Sequence, residues 1–223
     1  MTEGKIMFRK SIAFAATLIL SGCVSTNNIP IDEAKLTSAQ PKSITVTQRE
    51  KPDFSAMTAG KAYLGIFGAA AMISEGNEIV EQNHVEDPAS YISQTLRKVL
   101  AQKYQLSVAE SQQLIDSDNA ADIARTYHDA DLILDIETIN WSFVYYPTDW
   151  DNYRVIYSAK LRLVDARNET TLAEGFCASV PEEEASAPSY EELVENNASV
   201  LKTKLRSAAD HCIQEFEHNV LAI

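Results

Sequence analysis

The chain has 223 residues, 45% of them hydrophobic, with 19 basic against 32 acidic side chains and a net charge of −13. That length suits one domain with a sizeable core. The charge excludes a nucleic-acid-binding role, because so acidic a surface repels polyphosphate, and no catalytic or cofactor signature stands out along the chain.

The N-terminus has the three parts of an export signal. Lys5, Arg9 and Lys10 precede an apolar run over residues 12–20, which ends in the small residues Ser21 and Gly22 before Cys23. The run is too short to span a bilayer, which needs roughly 20 apolar residues. Met7 offers a second start, and the reading holds from either methionine. Leu20-Ser21-Gly22-Cys23 resembles the lipobox of bacterial lipoproteins. The resemblance covers residues 1–23 and implies cleavage between Gly22 and Cys23, with a lipid thioether and N-acylation at Cys23. By the same resemblance Val24, rather than Asp, after the cysteine implies release to the outer membrane, facing the periplasm. The mature chain then carries 16 basic and 31 acidic side chains, a net charge of −15, and meets the membrane through its lipid.

Residues 23–41 are rich in Ser, Thr, Asn, Gln and Pro and read as a flexible lipidated tether. A folded domain is expected over residues 42–223. Ile44, Val46 and Gln48 alternate with polar residues, the pattern of a half-buried strand. Residues 59–73 are apolar nearly all round and include the small pair Gly65 and Ala69, which would let another backbone come close. They are too short to cross a membrane. The expectation here is a buried core segment, the other reading being an apolar surface for membrane or partner.

Asp87-Pro88 is a helix start, with Asp87 as cap and Pro88 in the first turn. Ile92, Leu96, Val99 and Leu100 then give an apolar face as far as about Tyr104. A short strand is expected over residues 106–109, and a second helix capped by Asp118 and running to Tyr127.

Three antiparallel strands are expected over residues 131–143, 153–165 and 170–179. In the first, the apolar residues switch face between Ile136 and Ile139, which suggests a bulge, a twist or an emergence from the sheet near Thr138. The turn over residues 166–169 gives Asn168 the role of positive φ. Asp135 and Glu137 face Lys160, Arg162 and Glu174 across the strands, an arrangement read as an ion ladder in preference to an acid-base pair. Both tryptophans fall in residues 141–153, where Trp141, Phe143, Tyr145, Tyr146, Trp150 and Tyr153 form either a projecting patch that docks a partner or a cluster folded back on the hairpin. Asp149, Asp151 and Asn152 lack the spacing of a calcium loop, and His84, His128, His211 and His218 lack a nucleophile motif, so no metal site is expected.

Ser189 and Glu192 form a capping box. Val194, Ala198, Leu201, Leu205, Ala208, Cys212, Phe216 and Val220 then follow at helical spacing, predicting one long C-terminal helix. With Cys23 acylated, Cys177 and Cys212 remain to pair in an oxidising compartment, where the chain-entropy gain for about 35 enclosed residues is ~4 kcal/mol.

The expected fold is a single α/β (α+β) domain, a largely antiparallel sheet with helices packed mainly on one face and a long C-terminal helix. By element order this resembles the small α/β periplasmic domains of envelope lipoproteins. The functional expectation is a membrane-anchored, non-enzymatic scaffold or accessory protein that needs no cofactor and binds an envelope protein partner. The alternative is a hydrolase or carrier for cell-wall glycan or lipid.

Overall fold

The computed structural model describes residues 28–182 and 186–223. The expected signal peptide and Cys23 lie outside them. The described chain forms one α+β domain around a mixed six-stranded sheet.

The centre of the sheet is antiparallel. Strand β4 (Leu132–Tyr146) pairs with β5 (Asp149–Asp165), which pairs with β6 (Thr170–Ser179). The other edge of β4 carries two shorter strands, both parallel to it. Strand β1 (Ser43–Val46) runs beside Leu132 to Leu134, and β2 (Ser55–Met57) beside Ser142 to Val144. The outermost strand, β3 (Ser107–Val108), adds to β1.

A register shift between Thr138 and Asn140 leaves Ile139 as the bulged residue. It explains the switch in apolar pattern. One extra residue restores alternation to the same side, so Leu132, Leu134 and Ile136 before it, and Trp141 and Phe143 after it, all join the main core.

Two long helices cover that face. Helix α4 (Pro88–Tyr104) packs on β1 and β4, capped by Asp87, whose Oδ1 accepts from Ala89 N–H at 2.9 Å. Helix α6 (Tyr190–Phe216) packs on β5 and β6 from the Ser189–Glu192 capping box and ends in a π-helical turn, Glu217–Leu221. The expected unbroken C-terminal helix is corrected here. Glu195 is extended, and Asn196, Asn197 and Ala198 take left-handed φ of 52–56°. Apolar periodicity survives the break because Leu193 and Ala198 both still reach the core.

The opposite sheet face is covered in part by α5 (Ala120–Thr126), where Ile123, Ala124 and Tyr127 meet Ile133 and Val164. Its cap is Asn119, not the expected Asp118. Asp118 instead faces Arg162 at 2.8 Å. In the β5–β6 turn the positive φ falls on Glu169 at 53°, not on Asn168, whose amide donates to Asp165 at 2.8 Å.

The expected flexible tether also needs correction from Asn28 onward. Ile29 exchanges two backbone hydrogen bonds with Glu174 on the free edge of β6, and Ile31 N–H donates to Val220. Asp32 then caps α1 (Glu33–Ala39), which buries Leu36. A few apolar side chains dock this polar segment because an open strand edge satisfies its backbone.

Candidate docking site

The strand β2 delivers the chain into a helical hairpin formed by α2 (Ala59–Tyr63) and α3 (Ile66–Gln82). Gly65 makes the reversal with φ 58° and ψ −129°, a conformation open to glycine and strained for any residue with a Cβ. The close approach comes at Gly68, where a Cβ would lie 1.8 Å from the Lys61 carbonyl oxygen. The expected small pair thus works differently: Gly65 turns, Gly68 packs, and Ala69 stays exposed.

The base of the hairpin is fixed to the body. A Cβ at Gly76 would meet the Phe54 carbonyl at 2.1 Å, so helix and strand touch backbone to backbone. Asn77 Oδ1 accepts from Phe54 N–H at 2.8 Å, and Ile79 and Val80 are buried. Lys61 Nζ donates to Ala56 O at 2.9 Å and pairs with Glu75 at 2.7 Å, while Tyr190 Oη donates to the same carboxylate at 2.6 Å. Burial opposes the charge on Glu75, but these two partners outweigh it and hold its carboxyl below the usual range.

Beyond this clamp the hairpin tip has no charged residue from 62 to 74, and its apolar side chains stand in solvent. Tyr63 is 93% exposed, Leu64 59%, Ile66 82% and Phe67 78%. The expectation of a buried core segment over residues 59–73 is therefore overturned. Composition could not decide it, because a helix apolar all round suits a core or a membrane equally.

The aromatic residues expected to dock a partner are distributed otherwise. The structure extends β4 and β5 through most of the expected loop, and Trp141, Phe143, Tyr146 and Tyr153 are buried. Phe54 packs edge-on against Trp141 and Phe143, and Tyr153 against Phe143. Trp141 Nε1 donates to the Pro52 and Asp53 carbonyls, both at 3.1 Å, and Tyr146 Oη donates to Glu182 O. Tyr145 is half-buried. Trp150 alone projects, 64% exposed, at the β4–β5 turn. Five of these six therefore serve packing rather than a surface patch.

The charged face of the sheet is a buried network rather than a solvated ladder. Asp135 is 0% exposed and Arg162 1%. Asp135 accepts from Thr47 Oγ1 at 2.7 Å, Arg49 Nε at 2.7 Å and Arg162 at 2.5 Å. Glu137 and Asp118 bond the same Arg162 nitrogen at 3.0 and 2.8 Å, and Lys160 pairs with Glu174 at 3.2 Å. Burial works against both guanidinium charges, yet Asp135 above all keeps Arg49 and Arg162 above their ordinary values. Burial raises Glu137, while Arg162 most of all lowers Asp118 against the burial that opposes its charge. With every carboxylate of the group engaged by a cation, the arrangement registers strands. Arg49 was missed by sequence reasoning; the available signal was a cation just past an apolar strand.

Between β1 and β2 the edge of β4 is left open, and a cavity of about 510 Å³ lies there, lined by residues that include Lys51, Asp87, Asp116 and Glu137. Burial pushes the Asp87 carboxyl up, although Thr138 Oγ1 at 2.5 Å and Ala89 N–H donate to it. Asp87 is occupied as the α4 cap and Glu137 by Arg162. Cys177 and Cys212 form a disulfide with Cα atoms 5.5 Å apart, joining β6 to α6. Among the described residues, no group of three or more His, Cys, Asp or Glu could hold a metal ion, and no helix is long and apolar enough to cross a membrane.

No family model and no curated protein matches the chain. Similar solved structures include lipoprotein GNA1162 from Neisseria meningitidis, at 18% identity over 78% of this chain and 99% of that one, with a TM-score of 0.29. Hypothetical protein CT253 from Chlamydia trachomatis matches at 11% identity over 82% and 99%, TM-score 0.37. The LpoB C-terminal domain from Escherichia coli matches at 14% identity over 68% and 96%, TM-score 0.20. At TM-scores this low none of them carries a role over to this chain.

Proposed function

We propose that this chain is a lipid-anchored, non-enzymatic accessory protein of the bacterial envelope, which docks another envelope component through the apolar tip of the α2–α3 hairpin. In this reading the signal is cleaved after Gly22, Cys23 carries the lipid, and the body faces the periplasm from the outer membrane. The supporting features are the Leu20-Ser21-Gly22-Cys23 sequence and a disulfide suited to an oxidising compartment.

The observation that carries the docking role is the exposure of Tyr63, Leu64, Ile66 and Phe67 together on one rigidly based projection. Contiguous exposed apolar surface of this kind marks interaction sites. Trp150 is a second, smaller contact candidate. Two measurements test the proposal. Cys23→Ala should abolish acylation and release the protein from membranes. A photo-crosslinking residue in place of Phe67 should form adducts with envelope components in cells, while one in place of Glu169, at the far end of the sheet, should not. A tip that forms no adduct would refute docking.

A further inference from the structure

We infer that the occupant of the hairpin tip is a phospholipid leaflet: the tip inserts into the same membrane that holds the lipid at Cys23. This rests on the docking reading above and names what is docked.

The first argument is geometric. The tip has no single apolar face. Tyr63 and Leu64 leave α2, Ile66 and Phe67 open α3, and all are exposed on either side of Gly65. A protein partner would have to enclose such a projection in a socket, whereas a bilayer surrounds it without one. The Lys61–Glu75 ion pair marks the last charged level on both helices. From Ile66 to Glu75 is nine residues, which at 1.5 Å each gives about 14 Å of uncharged projection. One leaflet of hydrocarbon is half of roughly 30 Å. The match sets the charged collar at the headgroups.

The second argument is the chain outside the described residues. Cys23 precedes Asn28 by five residues, which reach at most about 18 Å even when extended. Asn28 Oδ1 accepts from Phe176 N–H, so the chain comes to Ile29 from the Ser179 end of β6. Ser179 pairs with Tyr157, and Tyr157 with Trp141. That is the end of the sheet where β2 pairs with Ser142 to Val144 and leads into the hairpin. An acyl group on Cys23 and the apolar tip therefore approach the membrane from the same end of the domain. Lipid and tip together provide the two signals that stable peripheral attachment requires. The acidic body disfavours anionic headgroups, so zwitterionic vesicles are the appropriate probe.

The test uses the mature acylated protein with Phe67→Cys. With Cys177 and Cys212 bonded to each other and Cys23 acylated, the new thiol takes an environment-sensitive fluorophore alone. A second version uses Ile66→Cys, and Glu169→Cys at the opposite end of the sheet is the reference. The labelled protein is reconstituted into phosphatidylcholine and phosphatidylethanolamine vesicles, with or without lipids spin-labelled on the acyl chain. Insertion predicts a blue-shifted emission that falls at least twofold with spin-labelled lipid at Phe67 and Ile66, and no change at Glu169. A blue shift without quenching, accompanied by thiol cross-linking between copies of the same variant left unlabelled, would make a second copy of the chain the occupant and overturn the lipid assignment while leaving docking intact. Emission that stays water-like with no cross-link would overturn the lipid assignment, while docking itself stands or falls on the cross-linking at Phe67 in cells. The mass of the N-terminal peptide reports acylation separately, so failure of the anchor is distinguishable from failure of the tip.

Discussion

Replacing Arg162 by methionine removes the central cation of the buried network. Arg162 reaches Asp135 at 2.5 Å, Asp118 at 2.8 Å and Glu137 at 3.0 Å, and it is almost fully buried. Methionine fills much of the volume but offers none of those bonds. Breaking a buried ion pair costs about 3–5 kcal/mol, because the stranded charge loses both water and partner. Asp135 would keep Arg49 and Thr47, which places the expected loss near the lower end, about 3 kcal/mol. Against a total stability of 5–15 kcal/mol that is a large fraction. Urea unfolding followed by far-UV circular dichroism at pH 7 reads it directly: with a slope of about 2 kcal/mol/M, the midpoint should fall by roughly 1.5 M. The triple variant Arg49→Met, Asp135→Leu, Arg162→Met removes the buried carboxylate together with both of the guanidinium groups that bond it and should recover most of the loss. A single-variant loss under about 1 kcal/mol would refute the claim that this network is desolvated, and so would a triple variant no better than the single.

Three further expectations concern other parts of the fold. Replacing Cys177 and Cys212 by alanine should lower stability by about 4 kcal/mol, the chain-entropy value for a loop closed over 35 positions, measurable in the same urea experiment. Asp131 accepts from Lys42 N–H, Ser43 N–H and Arg167, and although burial opposes its charge these partners hold its pKa below the ordinary value. Its contribution is therefore complete above the unfolded value of about 3.9 and disappears as pH falls through the lowered folded value. Asp131→Asn should cost about 2 kcal/mol at pH 7 and progressively less below pH ~4, and a difference that stays constant with pH would count against the assignment. Glu169→Gly relieves a left-handed φ of 53° and forfeits an exposed 3.6 Å pair with Arg125. It should raise stability by about 0.5–1 kcal/mol, seen as a higher melting temperature.

Local signals in the sequence carried through where the cause was itself local. The Asp87-Pro88 helix start, the Ser189–Glu192 capping box and the alternation along residues 153–165 each depend on bonds or faces within a few residues, and each is found in place. The α6 break at Asn196, Asn197 and Ala198 left no trace in the apolar spacing because Ala198 remains buried. Asp118 and Asn119 are equally able to cap α5. The choice fell to Asn119 because Arg162 and Arg49, both distant along the chain, engage Asp118. The docking segment was visible as an uncharged run, but its exposure was not, since the same composition serves a core.

By itself the sequence determined the class of fold, the antiparallel centre of the sheet and an irregularity of the strand near Thr138. Those follow from periodicity and capping, which act along the chain. Only the tertiary structure decided that residues 62–74 face outward, that the aromatics of residues 141–153 turn inward except for Trp150, and that Asp135 and Arg162 are shut away from water. Each of these depends on what lies across from a residue in space. An apolar side chain has no intrinsic preference between a protein core and a lipid leaflet, and a charged one none between water and a matched partner, until packing supplies the neighbour.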